Sequence, residues 1–215
     1  EDFYNICEEY GLDYPATVML HKDDKPPFDL PFDYPIAVKA SDSIEYVDLD
    51  FPGKKKAYKA NSPAELEQIF SDIYGAGYTG TLIVQDFIPG DDATMYVLNS
   101  YSDANGKVQA MCLGHCVLED YTPAGIGNYN AIIQEGIQEV YDKYKAFLEA
   151  IGFVGFSNFD IKYDERDGRY KVFEINIRQG RSSFFTTVSG CNLVTYLVND
   201  RIVHRQKPEV HYHND

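Results

Sequence analysis

Phe173-Glu174-Ile175-Asn176-Ile177-Arg178, which follows a β-rich run containing Phe159-Asp160, alternates apolar and polar residues with the two-residue period of a strand. Residues 157–163 and 170–177 thus predict a hairpin around a polar turn at 164–168. The pleat places Glu174 and Asn176 on one face, and Asp160 lies in the partner strand. Two carboxylates and an amide are hard oxygen donors. They suit Mg2+ (or Mn2+), which takes few protein ligands and keeps phosphate oxygens and water for the rest of its shell. The competing reading is a solvated acidic hairpin face, since carboxylates are ordinary on such surfaces.

Upstream, residues 96–102 and 108–118 flank Asp103-Ala104-Asn105-Gly106-Lys107, whose Asn-Gly pair marks a second hairpin. Ile133, Ile137, Val140, Tyr141, Tyr144, Phe147, Leu148 and Ile151 predict an amphipathic helix over 132–151, ended by Gly152. Nearer the N-terminus, a short helix is expected over 3–10, strands at 17–20 and 35–39, a polar loop over 41–55 and a strand at 57–59. Ser62-Pro63-Ala64-Glu65 is a helix start, with Ser62 as N-cap, Pro63 in the first turn and Glu65 completing a capping box. A buried strand over 82–88 closes at Pro89-Gly90, a last helix covers 192–199, and the end of the chain reads as weakly ordered. Antiparallel hairpins interspersed with a few helices predict an α+β architecture with a smaller N-terminal and a larger C-terminal half.

The chain has 215 residues, 44% of them hydrophobic, enough for a packed core. Nineteen Lys and Arg against 34 Asp and Glu give a net charge of −15, which repels phosphate backbones and argues against a nucleic-acid partner. No apolar run is long enough for a membrane span. The opening Glu1-Asp2-Phe3 is neither a leader nor an initiator, so a cytoplasmic portion of a longer chain is expected. Cys7, Cys112, Cys116 and Cys191 form no CxxC and read as reduced thiols. His115 between Cys112 and Cys116, and His211-x-His213, are weak metal patterns read as incidental.

The Asp160 and Glu174-x-Asn176 pattern resembles the metal-binding strand pair of the ATP-grasp superfamily, and further matching features occur upstream in superfamily order. The resemblance is to the carboxylate–amine ligases related to D-aspartate ligase and to carbamoyl-phosphate-synthase-like proteins. Residues 82–92, 114–128 and 155–183 carry it. It implies two α+β subdomains whose antiparallel sheets grip ATP in a cleft, with Asp160, Glu174 and Asn176 holding Mg2+ between nucleotide phosphates. Lys39 then contacts phosphate. Lys56 is chosen over Lys54, Lys55 and Lys59 as the second cation. Gln85 lies beside the exocyclic amine, backbone groups of Asp86, Phe87 and Ile88 meet the adenine edge, and Asp92 takes the ribose hydroxyls. Arg178 holds the substrate carboxylate or its acyl phosphate, with Arg181 close by. Separately, residues 122–128, turn-rich with two glycines, read either as a lid over the γ-phosphate or as an ordinary loop. One departure is that the loop over 41–53 carries a single glycine and several acids where many members have a glycine-rich phosphate loop.

The implied organisation is an N-terminal subdomain over 1–85, a C-terminal subdomain over 86–203 and a tail over 204–215, with a further domain preceding this chain in the parent protein. The implied activity is ADP-forming joining of a carboxylate and an amine, both small molecules, such as the addition of an amino acid to a peptidoglycan precursor. The chain by itself is expected to bind nucleotide but turn over poorly. A homodimer is left open. Two rivals remain: a regulatory nucleotide-binding module without catalysis, and a calcium-dependent carbohydrate-binding domain using the 18 tyrosines.

Overall fold

The computed structural model describes residues 2–122, 127–205 and 211–213, without the side chains of Asp2, His211 and His213. The chain forms two units, a smaller one built on Pro15–Ile88 and a larger one built on Glu1–Tyr14, Pro89–Asp120 and Gly127–Asp215. Both are predominantly antiparallel sheets with helices, in agreement with the α+β expectation.

In the smaller unit, β1 (Thr17–Leu20), β2 (Ile36–Ala40), β3 (Tyr58–Ala60) and β4 (Leu82–Asp86) pair in the order β1-β4-β2-β3. Alternation splits each strand. Leu20, Ile36, Val38, Ala60, Leu82 and Val84 pack with Leu66, Ile73 and Tyr74 from one helix. That helix spans Pro63–Gly75, with Ser62 accepting a bond from the Glu65 amide. The Glu65 carboxylate reaches the amide of Asn61, one residue before the position a capping box uses. The loop expected over 41–55 contains another helix, Ser43–Val47. The Asp42 carboxylate accepts the Ile44 and Glu45 amides, and Lys54 Nζ donates to the carbonyls of Val47 and Leu49. Lys54 is thereby committed to closing a helix end.

In the larger unit, β5 (Met95–Ser102), β6 (Val108–Glu119), β8 (Gly155–Asp164) and β9 (Arg169–Asn176) are antiparallel neighbours in the order β6-β5-β8-β9. The outer edge of β6 carries two partners in tandem: β7 (Tyr129–Gln134) against Gly114–Glu119, and β10 (His211–His213), parallel, against Ala110–Cys112. Two expectations are corrected here. The helix read over 132–151 begins only at Gln138 (Gln138–Ala150), because Ile132 and Ile133 pair with Cys116 and His115 and their backbone groups go to the β6 ladder. The end of the chain, read as weakly ordered, contains a strand, since β10 pairs with β6 and the Tyr212 ring stacks on Tyr141 at 5.0 Å.

The helix Gln138–Ala150 covers one face, packing Tyr141, Tyr144 and Phe147 on Leu98, Phe159 and Ile161. On the other face, Phe184–Val188 and Leu193–Val198 pack on Tyr101, Ala110 and Cys112, with Phe185 reaching Gly114. The first fourteen residues, assigned from sequence to the N-terminal subdomain, belong here. Cys7 and Leu12 are in this core, and the Asp13 carboxylate joins Lys143 and Arg169.

Two consequences are measurable. A Cβ on Gly114 would lie 2.5 Å from Ile132 Cγ2 and 2.7 Å from the Phe185 ring, so Gly114→Ala is expected to destabilise by about 1–3 kcal/mol in urea unfolding. The second concerns buried Asp164, bonded bidentately by Arg166 at 2.7 and 2.9 Å and by Lys171 at 2.6 Å. The bonds from Arg166, then those from Lys171, hold its carboxyl well below the usual range against the opposing effect of burial. A depressed carboxyl stabilises the fold above its unfolded pKa of about 3.9 and loses that contribution as pH falls further. Asp164→Asn should therefore cost about 2 kcal/mol at pH 7, and the gap from the wild type should narrow below about pH 4.

Candidate metal and nucleotide site

Register decides the metal set. In the β8–β9 pair, Asp160 lies opposite Glu174 and Asn158 opposite Asn176, which puts all four side chains on one face of the sheet. The ladder shifts between Asp160 and Ile161, where Ile161 pairs with Val172 and Phe173 is the extra residue of a β-bulge. Below the bulge Val172 faces the core, and above it Ile175 does. Without the bulge, Glu174 would share the face of Val172. The first fourteen residues hold this kink: Tyr4 donates its hydroxyl to the Phe173 carbonyl at 3.0 Å, and the Val172 amide donates to the Asp13 carbonyl at 2.8 Å.

Around the carboxylates runs a chain of oriented amides. Asn176 Nδ2 donates to Asn158 Oδ1 and to Glu174 Oε1, both at 3.3 Å, and Asn158 Nδ2 donates to Asn99 Oδ1 at 3.1 Å. Arg178 Nη2 donates to Asn176 Oδ1 at 3.3 Å, so the guanidinium sits beside the carboxylate pair. Tyr129 donates its hydroxyl to Asp160 Oδ1 at 3.1 Å. Burial, then the charges of Asp160 and Glu119, push the Tyr129 phenol far up, so it stays a donor. Among the described residues no three His, Cys, Asp or Glu side chains cluster as a metal cage. Two carboxylates and one amide fit magnesium, which leaves most positions to other oxygens. Gly180 packs against this chain, since a Cβ there would meet Asn158 at 2.6 Å. Arg181 is exposed in the turn before the helix Phe184–Val188.

Asp92 opens a single 3-10 turn (Asp92–Thr94) and accepts the Glu119 amide through Oδ2 at 2.9 Å. Among the described residues no donor reaches its Oδ1.

In the smaller unit, Lys39, Gln85 and Lys59 share the sheet face opposite the apolar core, with Lys59 opposite Ala37 and Ala37 opposite Gln85. Lys59 Nζ stands 4.3 Å from the centre of the Phe87 ring. Gln85 is buried, and its amide donates to Thr17 Oγ1 at 2.9 Å. The Asp86 amide is engaged by the Ala16 carbonyl at 2.9 Å. Ile88 is buried. Lys56 lies in the bend before β3, outside the strand face. A cavity of about 260 Å3 lined by Phe28, Phe32, Tyr34 and Glu67 involves none of these residues.

Asn158 and Tyr129 were not singled out from sequence, and Lys59 was weighed there but ranked behind Lys56. The alternation Asn158-x-Asp160 in one strand could have revealed the first. Tyr129 opens a strand whose second half falls inside the helix expected over 132–151, so nothing in the sequence reading pointed to it. Of the segment read as a lid, residues 123–126 lie outside the described residues, as do the side chains of His211 and His213. The four cysteines are free and buried, and His115 faces acceptors rather than a metal set.

No protein-family model matches the chain. It is 49% identical over 214 residues to a D-aspartate ligase of Enterococcus faecium, covering 98% of this chain and 51% of that protein, so it spans about half of the relative's length. It superposes on the L-amino acid ligase of Bacillus licheniformis with a TM-score of 0.62 at 18% identity, over 91% of this chain and 45% of that one. On the D-alanine–D-alanine ligase of Bacillus anthracis, solved with ATP, the TM-score is 0.57 at 16% identity, over 92% and 64%. The chain therefore has the ATP-grasp fold and is similar in sequence to half of a D-aspartate ligase.

Proposed function

We propose that this chain is the nucleotide- and metal-binding part of an ATP-dependent ligase that joins a carboxylate to an amine through an acyl phosphate, with ADP as product. One observation carries the proposal: Asp160 and Glu174 stand opposite each other beside Asn176, with Arg178 bonded to that same amide. Metal ligands on a strand pair, with a carboxylate-binding cation just beyond its end, are what transfer of a phosphoryl group to a carboxylate requires. The similarity to D-aspartate ligase supports an amino acid as one substrate; a peptidoglycan precursor as acceptor is part of the proposal. Parts of the active site contributed by the rest of the parent protein belong to the same proposal.

Asp160, Glu174 and Asn176 would hold Mg2+ (or Mn2+), which supplies charge neutralisation at the phosphates. The planar fork of Arg178 suits bidentate holding of the substrate carboxylate and then of its acyl phosphate. Lys39 is the first phosphate contact. Lys59 replaces Lys56 as the second, because it shares the Lys39 face while Lys56 does not. Gln85, with Asp86, Phe87 and Ile88, lines the base, and the open Oδ1 of Asp92 accepts a ribose hydroxyl.

Calorimetric titration of the ATP analogue AMP-PNP with Mg2+ tests this. Binding by the wild type that falls at least about tenfold in Glu174→Ala/Asn176→Ala is the expected outcome, as loss of a ligand pair costs more than 1.4 kcal/mol. Equal affinity of the two proteins would refute the metal assignment.

A further inference from the structure

The Pro89–Thr94 segment carries Asp92 and is gripped from both faces of the larger sheet. Lys162 lies two residues beyond Asp160 on the same side of β8, and is buried to 9% exposure. Its Nζ donates to the Gly90 carbonyl at 3.0 Å. Burial pushes its pKa down, while Glu119, Asp91, Asp92 and Asp164 counter that. His115 lies on the opposite face, stacked on the Tyr96 ring at 4.5 Å and 11°. Its Nε2 is 2.6 Å from the Ala93 carbonyl and its Nδ1 is 2.6 Å from the Glu135 carboxylate. Both partners present oxygen acceptors to the ring nitrogens. Gly90 adopts φ of 103°, and a Cβ there would meet Thr94 at 2.7 Å, so this turn of the segment needs glycine.

We propose that Lys162 and His115 are positioning residues for the nucleoside part of ATP. They fix the two carbonyls that flank Asp92 and so hold its Oδ1 where a ribose hydroxyl can be met. This rests on the nucleotide reading above and adds two residues that touch neither phosphate nor metal. A buried lysine here costs desolvation that an apolar residue would not. A donor fixed to a backbone carbonyl gives that cost a geometric return.

The test separates nucleoside from phosphate. AMP-PNP and inorganic tripolyphosphate, each with Mg2+, are titrated into the wild type, Lys162→Met, Lys162→Arg and His115→Phe, and thermal unfolding is followed in parallel. Lys162→Met keeps the packing but loses the donor, and His115→Phe keeps the ring on Tyr96 but loses both bonds. AMP-PNP affinity is expected to fall about tenfold in Lys162→Met and about fivefold in His115→Phe, with tripolyphosphate within about twofold of wild type and with recovery in Lys162→Arg. Equal losses for both ligands, or unchanged AMP-PNP affinity, overturn the positioning role while leaving the metal site standing. Failure of the wild type to bind either ligand overturns the nucleotide reading and this inference with it. Should Lys162→Met not fold, the ratio in His115→Phe decides by the same criteria.

Discussion

One extra residue in one strand governs the chemistry of the larger unit. Phe173 interrupts the two-residue alternation, so Val172 and Ile175 both face the core while Glu174 and Asn176 face away from it. A bulge leaves backbone groups out of register, and these need partners. The Tyr4 hydroxyl and the Asp13 carbonyl provide them. The metal face thus depends on a helix 169 residues away in sequence, which explains why the first fourteen residues pack with the larger unit and not with the strands that directly follow them.

From that kink, order spreads through polar side chains rather than through packing. Asn176, Asn158 and Asn99 form a line of amides, each fixing the orientation of the next, and Arg178 joins at one end. Such a line is directional because an amide bonded at its oxygen must present its nitrogen elsewhere. The two helices on this face pack on Tyr101, Ala110 and Cys112, and Phe185 reaches Gly114, which the register places level with Asp160 across Val97.

Local periodicity made much of this legible. Ser62-Pro63-Ala64-Glu65 marked a helix start because capping is a four-residue event, and the Asn-Gly turn marked its hairpin for the same reason. Alternation placed Glu174 and Asn176 on one face, and the partner strand supplied Asp160. What escaped depended on pairings distant in sequence. Ile132 and Ile133 fit a helical stripe and a strand equally well, and only the open edge of β6 selects the strand. Lys56 and Lys59 are equivalent as letters, and pairing with Ala37 distinguishes them. The departure at 41–53 also has a local cause, since Asp42 and Lys54 there cap the two ends of a short helix.

The tandem partners of β6 carry a consequence for the chain's life in solution. A twelve-residue strand with an unpaired margin beside Met111 and Leu113 is a template onto which another molecule could add its own strand. β7 covers one half of that margin and β10 the other, the latter with only three residues and one stacked tyrosine. The three residues of β10 therefore take up the backbone groups of Ala110–Cys112 that would otherwise form a bare strand edge.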